Sequence, residues 1–166
     1  LESRVTSIDK KQQMVTLSDG QTLDYDKLAL CMGSRVREIT LPGTELQGVH
    51  YLRNITNVEG IKKQLSDKKN VAIIGGGYIG LETAAALKKI GLHVTVLETA
   101  DRILQRVTAP ELSAFYARIH AEEGVSIRTG VCVSCIVGDR YVEKVVCADN
   151  ARYANPSTNR NAFFCM

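Results

Sequence analysis

Residues Val71–Gly80 read VAIIGGGYIG, an apolar run that breaks into G-x-G-x-x-G and continues into helical sequence. Few local patterns constrain a fold as tightly, because each glycine has its own task. Gly75 lets the chain turn sharply out of a strand, Gly77 leaves no side chain where backbone must approach a pyrophosphate, and Gly80 lets the following helix pack against that strand. The first amides of that helix, Gly76 to Ile79 with Tyr78 among them, present N–H groups and partial positive charge to an anion. The three glycines alone are a weak signal, but here the context is complete. A second apolar run, Val94–Leu97, ends in Glu98, at the roughly 20-residue spacing such units show. A carboxylate there accepts the adenosine ribose hydroxyls and repels a 2′-phosphate, which favours NAD(H) over NADP(H).

The rest of the chain continues the alternation. Ahead of the motif, Arg4–Ile8, Met14–Leu17 and Thr22–Leu23 read as short strands, with Asp19-Gly20 as a hairpin signal. Leu28–Met32 is a continuous apolar run ending at Gly33, the pattern of a strand buried on both faces. Val58–Leu65 is an amphipathic helix candidate, and residues 67–70 a solvated turn. Tyr78–Ile90 is helical in composition, with Gly91 at its C-terminal cap. Thr108 and Glu111 are spaced as a capping box for a helix running to about Glu123, with Pro110 in its first turn and Gly124 ending it. Val125–Arg128 is a third strand of this series, and Val131–Val137 with Tyr141–Cys147 a hairpin about Gly138-Asp139. The expected fold class is α/β: a Rossmann-like parallel β-α-β-α-β domain with a β-hairpin, preceded by a β-meander. Asn150–Met166 has no readable period.

Composition narrows the function classes. A net charge of +3 with scattered basic residues offers no stripe for nucleic acid, and no apolar run approaches the roughly 18 residues that span a membrane. Five cysteines without a framework spacing suit a reducing cytosol, so a cytoplasmic protein is expected. Cys132 and Cys135 have the C-x-x-C spacing, but on a strand residues three apart face opposite ways, and no second pair completes a tetrahedral metal site. No metal site and no catalytic residue is assigned. His50, His93 and His120 are far apart in sequence and read as surface or satisfied side chains, Arg102 and Arg106 as solvated or structural, and Lys88 with Lys89 as a solvated helix face. Glu82 lies early on the motif helix, on what reads as its first turn, where the bland explanation is a carboxylate at the positive end of the helix dipole.

Residues 75–82, GGGYIGLE, resemble the NAD segment of the FAD-dependent pyridine nucleotide-disulfide oxidoreductases. RVTAPELSAFY at 106–116, GVSIRTG at 124–130 and YDKLALCMGSRVR at 25–37 are similar to the ferredoxin and rubredoxin reductase branch of that family. The resemblance covers Val5 to about Ala148. It implies a flavoprotein that takes a hydride from NADH onto FAD and passes electrons to a small iron–sulfur or rubredoxin-type partner, with no nucleic acid or membrane involved. On the family's pattern Glu82 and Tyr78 sit by the nicotinamide and Arg37 contacts FAD. Residues 1–47 then correspond to the end of the first FAD-binding segment, 48–150 to the NAD-binding domain, and 151–166 to a tail of unclear structure. Cys31-Met32 replaces the usual Ala-Thr before Gly33.

The chain begins at Leu1, inside strand-like sequence, and is expected to be a piece of a longer protein. Its one glycine-rich turn is assigned to NAD, so FAD is expected only in the full-length parent, and the chain by itself is expected to be inactive. Two other readings stay open: a dinucleotide-binding module without catalysis, and a disulfide reductase of the same superfamily. Cys132 and Cys135, placed after the glycine motif, argue against the second.

Overall fold

Turn chemistry shapes the first of two compact units, Leu1–Ser34 and Arg35–Met166. The computed structural model describes residues 2–65, 70–148, 152–153 and 161–165. In the first unit β1 (Val5–Asp9), β2 (Met14–Leu17) and β3 (Thr22–Asp24) form an antiparallel meander. Asp9 Oδ1 accepts the amides of Lys11 (2.8 Å) and Gln12 (3.0 Å), which bends the chain out of β1. Gly20, at φ +86, supplies the left-handed residue between β2 and β3. The buried strand expected at Leu28–Met32 is not there. The run is irregular, and Leu28, Leu30 and Met32 are all exposed. Among the described residues no strand lies beside it, and an extended segment forms a strand only when a neighbour satisfies its amides and covers its side chains.

The second unit is a parallel sheet covered on both faces. Its elements are β4 (Val49–Tyr51), α1 (Ile55–Leu65), β5 (Asn70–Ile74), α2 (Tyr78–Lys89), β6 (His93–Leu97), α3 (Pro110–Glu122), β7 (Ser126–Arg128), β8 (Val133–Gly138), β9 (Val142–Cys147), β10 (Arg152–Tyr153) and β11 (Asn161–Cys165). The sheet order is β4-β11-β5-β6-β7, all parallel. Alternation along β5 decides the layers. Val71 and Ile73 join a core with Ile61 and Leu65 of α1, Ala84 and Leu87 of α2, and Val94 and Val96 of β6. Ala72 and Ile74 point the other way, against Val133, Ile136, Val142 and Val145 of the β8–β9 hairpin. Each Val, Leu or Ile among them, fully buried, stabilises the fold by about 1.5–3 kcal/mol. These opposed cores hold β5 and β6 rigidly, and the loops at their C-terminal ends are where such sheets bind ligands.

Local signals set the helix limits. Asn54 and Asn57 cap α1 reciprocally: Asn57 N–H donates to Asn54 Oδ1 (3.0 Å), and Asn54 N–H to Asn57 Oδ1 (3.1 Å). Gly91, at φ +89, follows α2, and Gly124, at φ +80, follows α3. The expected capping box on α3 does not form. Ala109 is the N-cap and makes no side-chain cap bond, while the Thr108 hydroxyl donates to Leu104 O (3.2 Å). Pro110 starts the helix one residue later than the box requires. The solvated turn expected at 67–70 lies outside the described residues except Asn70, which opens β5. The stretch without readable period carries β10, paired with β9, and β11, between β4 and β5. Among the described residues no helix is long and apolar enough to cross a membrane.

Candidate functional site

The turn from β5 into α2 is built as its glycines require. Gly75 has φ +118, and its N–H donates to Leu97 O (2.8 Å), so the turn is held to the end of β6. A Cβ at Gly80 would run into the Gly75 carbonyl oxygen. Only glycine therefore lets α2 start this close to the strand. Gly77 differs, with ordinary extended backbone (φ −80, ψ −179) and open space where a Cβ would stand. It is the N-cap of α2 and gives no side-chain bond to the helix, so the amides of the first turn face outward without a side-chain acceptor.

Glu98 closes the turn from the other side. Its Oε2 accepts the Gly76 N–H (2.6 Å) and its Oε1 accepts the Ala100 N–H (2.8 Å) and the Thr99 hydroxyl (3.3 Å). Gly76 must be small for this, because a Cβ there would press on Glu98 and Ile103. A carboxylate has about four acceptor sites, so these three bonds leave about one for a ligand's hydroxyl group.

A cleft of about 500 Å³ opens at this point, with Gly77, Tyr78, Glu98, Ala100, Gln105 and Arg106 among its walls. The cleft brings Gly76, Gly77, Tyr78 and Glu98 together. Gly75 and Gly80 shape it from behind. Ile79 and Glu82 are exposed on α2 outside the lining, and Arg37 is exposed in irregular chain between β3 and β4. Glu82 is the fifth residue of α2, and the first turn holds no acidic group. The sequence expectation of a first-turn carboxylate at the helix dipole is therefore corrected: α2 starts at Tyr78 as expected, and a fifth residue already lies on the second turn, away from the free N–H groups.

Both arginines after β6 fit the expectation of a solvated or structural side chain, and the cleft gives one of them a further place. Arg106 lines the cleft and, among the described residues, makes no hydrogen bond or ion pair, so its charge is available to a ligand. Arg102 is structural, with its guanidinium bonded to Thr108 O, Ser113 Oγ and Gln105 O. The only sequence sign for Arg106 is its place shortly after the acidic residue that ends β6.

Of the remaining candidates, His120 packs between helices, with Nδ1 2.9 Å from Tyr116 O and Nε2 3.1 Å from Leu81 O. His50 Nε2 lies 2.9 Å from Gln64 Oε1, and burial lowers its pKa while that bond raises it less. Cys132 is exposed ahead of β8 and Cys135 is partly buried within it, both as free thiols. Among the described residues no group of His, Cys, Asp and Glu could hold a metal ion.

An uncapped helix start, a cleft beside it, and a carboxylate and an unbonded arginine among its walls together fit the adenosine and diphosphate of a dinucleotide. The pyridine nucleotide-disulphide oxidoreductase family matches residues 1–155 of the chain. Putidaredoxin reductase CamA of Pseudomonas putida is 45% identical over 156 residues, covering 90% of this chain and 37% of that protein. The ferredoxin–NAD(+) reductase subunit of the benzene 1,2-dioxygenase system, also from Pseudomonas putida, is 34% identical over 164 residues, 99% of this chain and 39% of that protein. Among solved structures, the ferredoxin reductase for the CYP199A2 system of Rhodopseudomonas palustris superposes with a TM-score of 0.87 at 32% identity, over 100% of this chain and 40% of its own. Putidaredoxin reductase in its covalent complex with putidaredoxin gives 0.81 at 40% identity, over 98% and 39%. The chain thus spans about two fifths of the length of the relatives it matches, many of them ferredoxin reductases by name, and it belongs to the pyridine nucleotide-disulphide oxidoreductase family.

Proposed function

We propose that this chain is the NAD(H)-binding part of an FAD-dependent NADH oxidoreductase that passes electrons to a small iron–sulfur or rubredoxin-type protein. The carrying observation is the uncapped start of α2 facing the same cleft as the Glu98 carboxylate. In this reading residues 48–150 are the NAD-binding domain, and 1–47 the end of an FAD-binding segment to which Arg37 brings a flavin contact. Support for the partner class comes from the ferredoxin reductases among the relatives and from the solved complex with putidaredoxin.

The residues divide the work. The first amides of α2 receive the diphosphate, and Gly77 lets it come close. Glu98 accepts a ribose hydroxyl. Arg106 adds a cation to the wall of the cleft. Tyr78 and Glu82 lie along the path toward the nicotinamide. Bound here, NADH would supply the hydride, and FAD in the parent protein would supply the acceptor that turns a hydride into single electrons.

Glu98 and Arg106 pull cofactor choice in opposite directions, since a free arginine welcomes a 2′-phosphate and a carboxylate rejects it. Glu98 prevails in this reading because it is fixed on the Gly76 amide at the ribose end, while Arg106 is an exposed, jointed side chain. The chain is accordingly expected to bind NADH more tightly than NADPH. Glu98→Ala weakens NADH by about ten- to hundredfold, the loss expected for hydrogen bonds to a charged group. Isothermal titration with both cofactors checks this, and equal affinities in the unaltered chain contradict it.

A further inference from the structure

The wall of the cleft opposite α2 is a loop, residues 99–108, whose course is costly. Leu104 adopts φ +55, a left-handed conformation that disfavours a branched apolar residue. Its side chain is 3% exposed, packed with Leu81 and Ile103, and its N–H donates to Gly76 O (2.9 Å), tying the loop to the glycine turn. Strain of this kind persists only where the surroundings over-determine it.

One side-chain knot over-determines it here. Arg102 Nη1 donates to Thr108 O (2.9 Å) and to Ser113 Oγ (2.6 Å), and Nη2 donates to Gln105 O (3.1 Å). Ser113, the one buried polar side chain among the described residues, passes the chain on by donating to Ile103 O (2.6 Å). Donors and acceptors match: the guanidinium only donates, the three carbonyls only accept, and the hydroxyl does one of each. The knot fastens both ends of the segment 103–108 to α3. Gln105, Arg106 and Val107, exposed and lining the cleft, are carried on the span between. Neither Arg102 nor Ser113 is part of the lining.

We propose that Arg102 and Ser113 are positioning residues for the dinucleotide, which set its affinity by holding Arg106 at the cleft. This rests on the cleft being the NADH site. The loop is shaped before the ligand arrives, so binding does not have to order it. A lysine at 102 keeps the charge but cannot bridge three oxygens as a planar fork does.

The test is calorimetric titration of NADH and of ADP-ribose into the unaltered chain and into Arg102→Lys, Ser113→Ala, Arg106→Ala and Arg102→Lys/Arg106→Ala, at a temperature where circular dichroism shows each folded. Arg106→Ala is expected to weaken both ligands by about tenfold, the scale of one charged hydrogen bond. Arg102→Lys and Ser113→Ala are expected to weaken both by about three- to tenfold, since they misplace that bond and do not remove it. The double variant should lose no more than Arg106→Ala alone, because Arg102 acts through Arg106. Ser113→Ala removes a single oxygen and carries the test if Arg102→Lys does not fold. Unchanged affinity in a folded Ser113→Ala, or a double variant whose loss is the product of the single losses, overturns the proposal while leaving the site intact. An unaltered chain that binds neither ligand overturns the site itself.

Discussion

Gly77 and Gly80 sit three residues apart and are glycine for opposite reasons. At Gly80 the obstacle is the protein, because an added Cβ would meet the Gly75 carbonyl. At Gly77 the space is open and the backbone ordinary, so the fold does not require glycine there. Alanine in a helix is favoured over glycine by about 1 kcal/mol. Overpacking against fixed backbone costs about 1–3 kcal/mol, and the larger figure applies here because a backbone oxygen cannot rotate away. Gly80→Ala is therefore expected to lower stability by about 1–2 kcal/mol despite its better helix propensity. Urea unfolding measures this, and a stabilised variant would show that α2 can move off the turn at no cost.

At the scale of elements, β5, α2 and β6 were legible because their signals are short-range: an apolar run, three glycines with separate duties, and a carboxylate at the end of the next strand. What was misread depended on partners distant in sequence. Leu28–Met32 has a buried strand's composition without, among the described residues, a strand to pair with. Thr108 and Glu111 have a capping box's spacing, but the Thr108 hydroxyl is taken by Leu104 O. β11 lacks the branched aliphatic alternation that marks a strand, and gains its place from pairing with β4 and β5. Arg106 is solvated as expected, but nothing local shows that its loop folds back over Gly76 and puts it in the cleft wall.

β4 brings a titrating group into this sheet. Burial lowers the pKa of His50 below its ordinary 6.5, against the weaker opposing effect of the Gln64 bond. The folded state thus holds a proton less readily than the unfolded chain. The sign follows from linkage: the contribution is complete above about pH 6.5 and is lost as pH falls through the lowered folded value. The thermal midpoint should drop on that acid limb, and His50→Gln should flatten the drop. An unchanged acid limb in the variant would show that His50 does not carry it.

For the whole molecule, the sheet, the turn and the Arg102 knot serve one geometry, in which a rigid β5–α2 junction faces a pre-shaped loop across a cleft. Family membership follows from the match over residues 1–155. The assignment of that cleft to NADH is what the proposed reductase function depends on. Gly77→Val tests it most directly, because the substitution fills the space meant for the diphosphate and leaves the fold alone. Titration calorimetry of NADH into the chain and into Gly77→Val, with circular dichroism on both, is the decisive measurement. The account predicts a folded variant with no measurable NADH binding beside an unaltered chain that binds; near-equal affinity in the two would place the dinucleotide elsewhere.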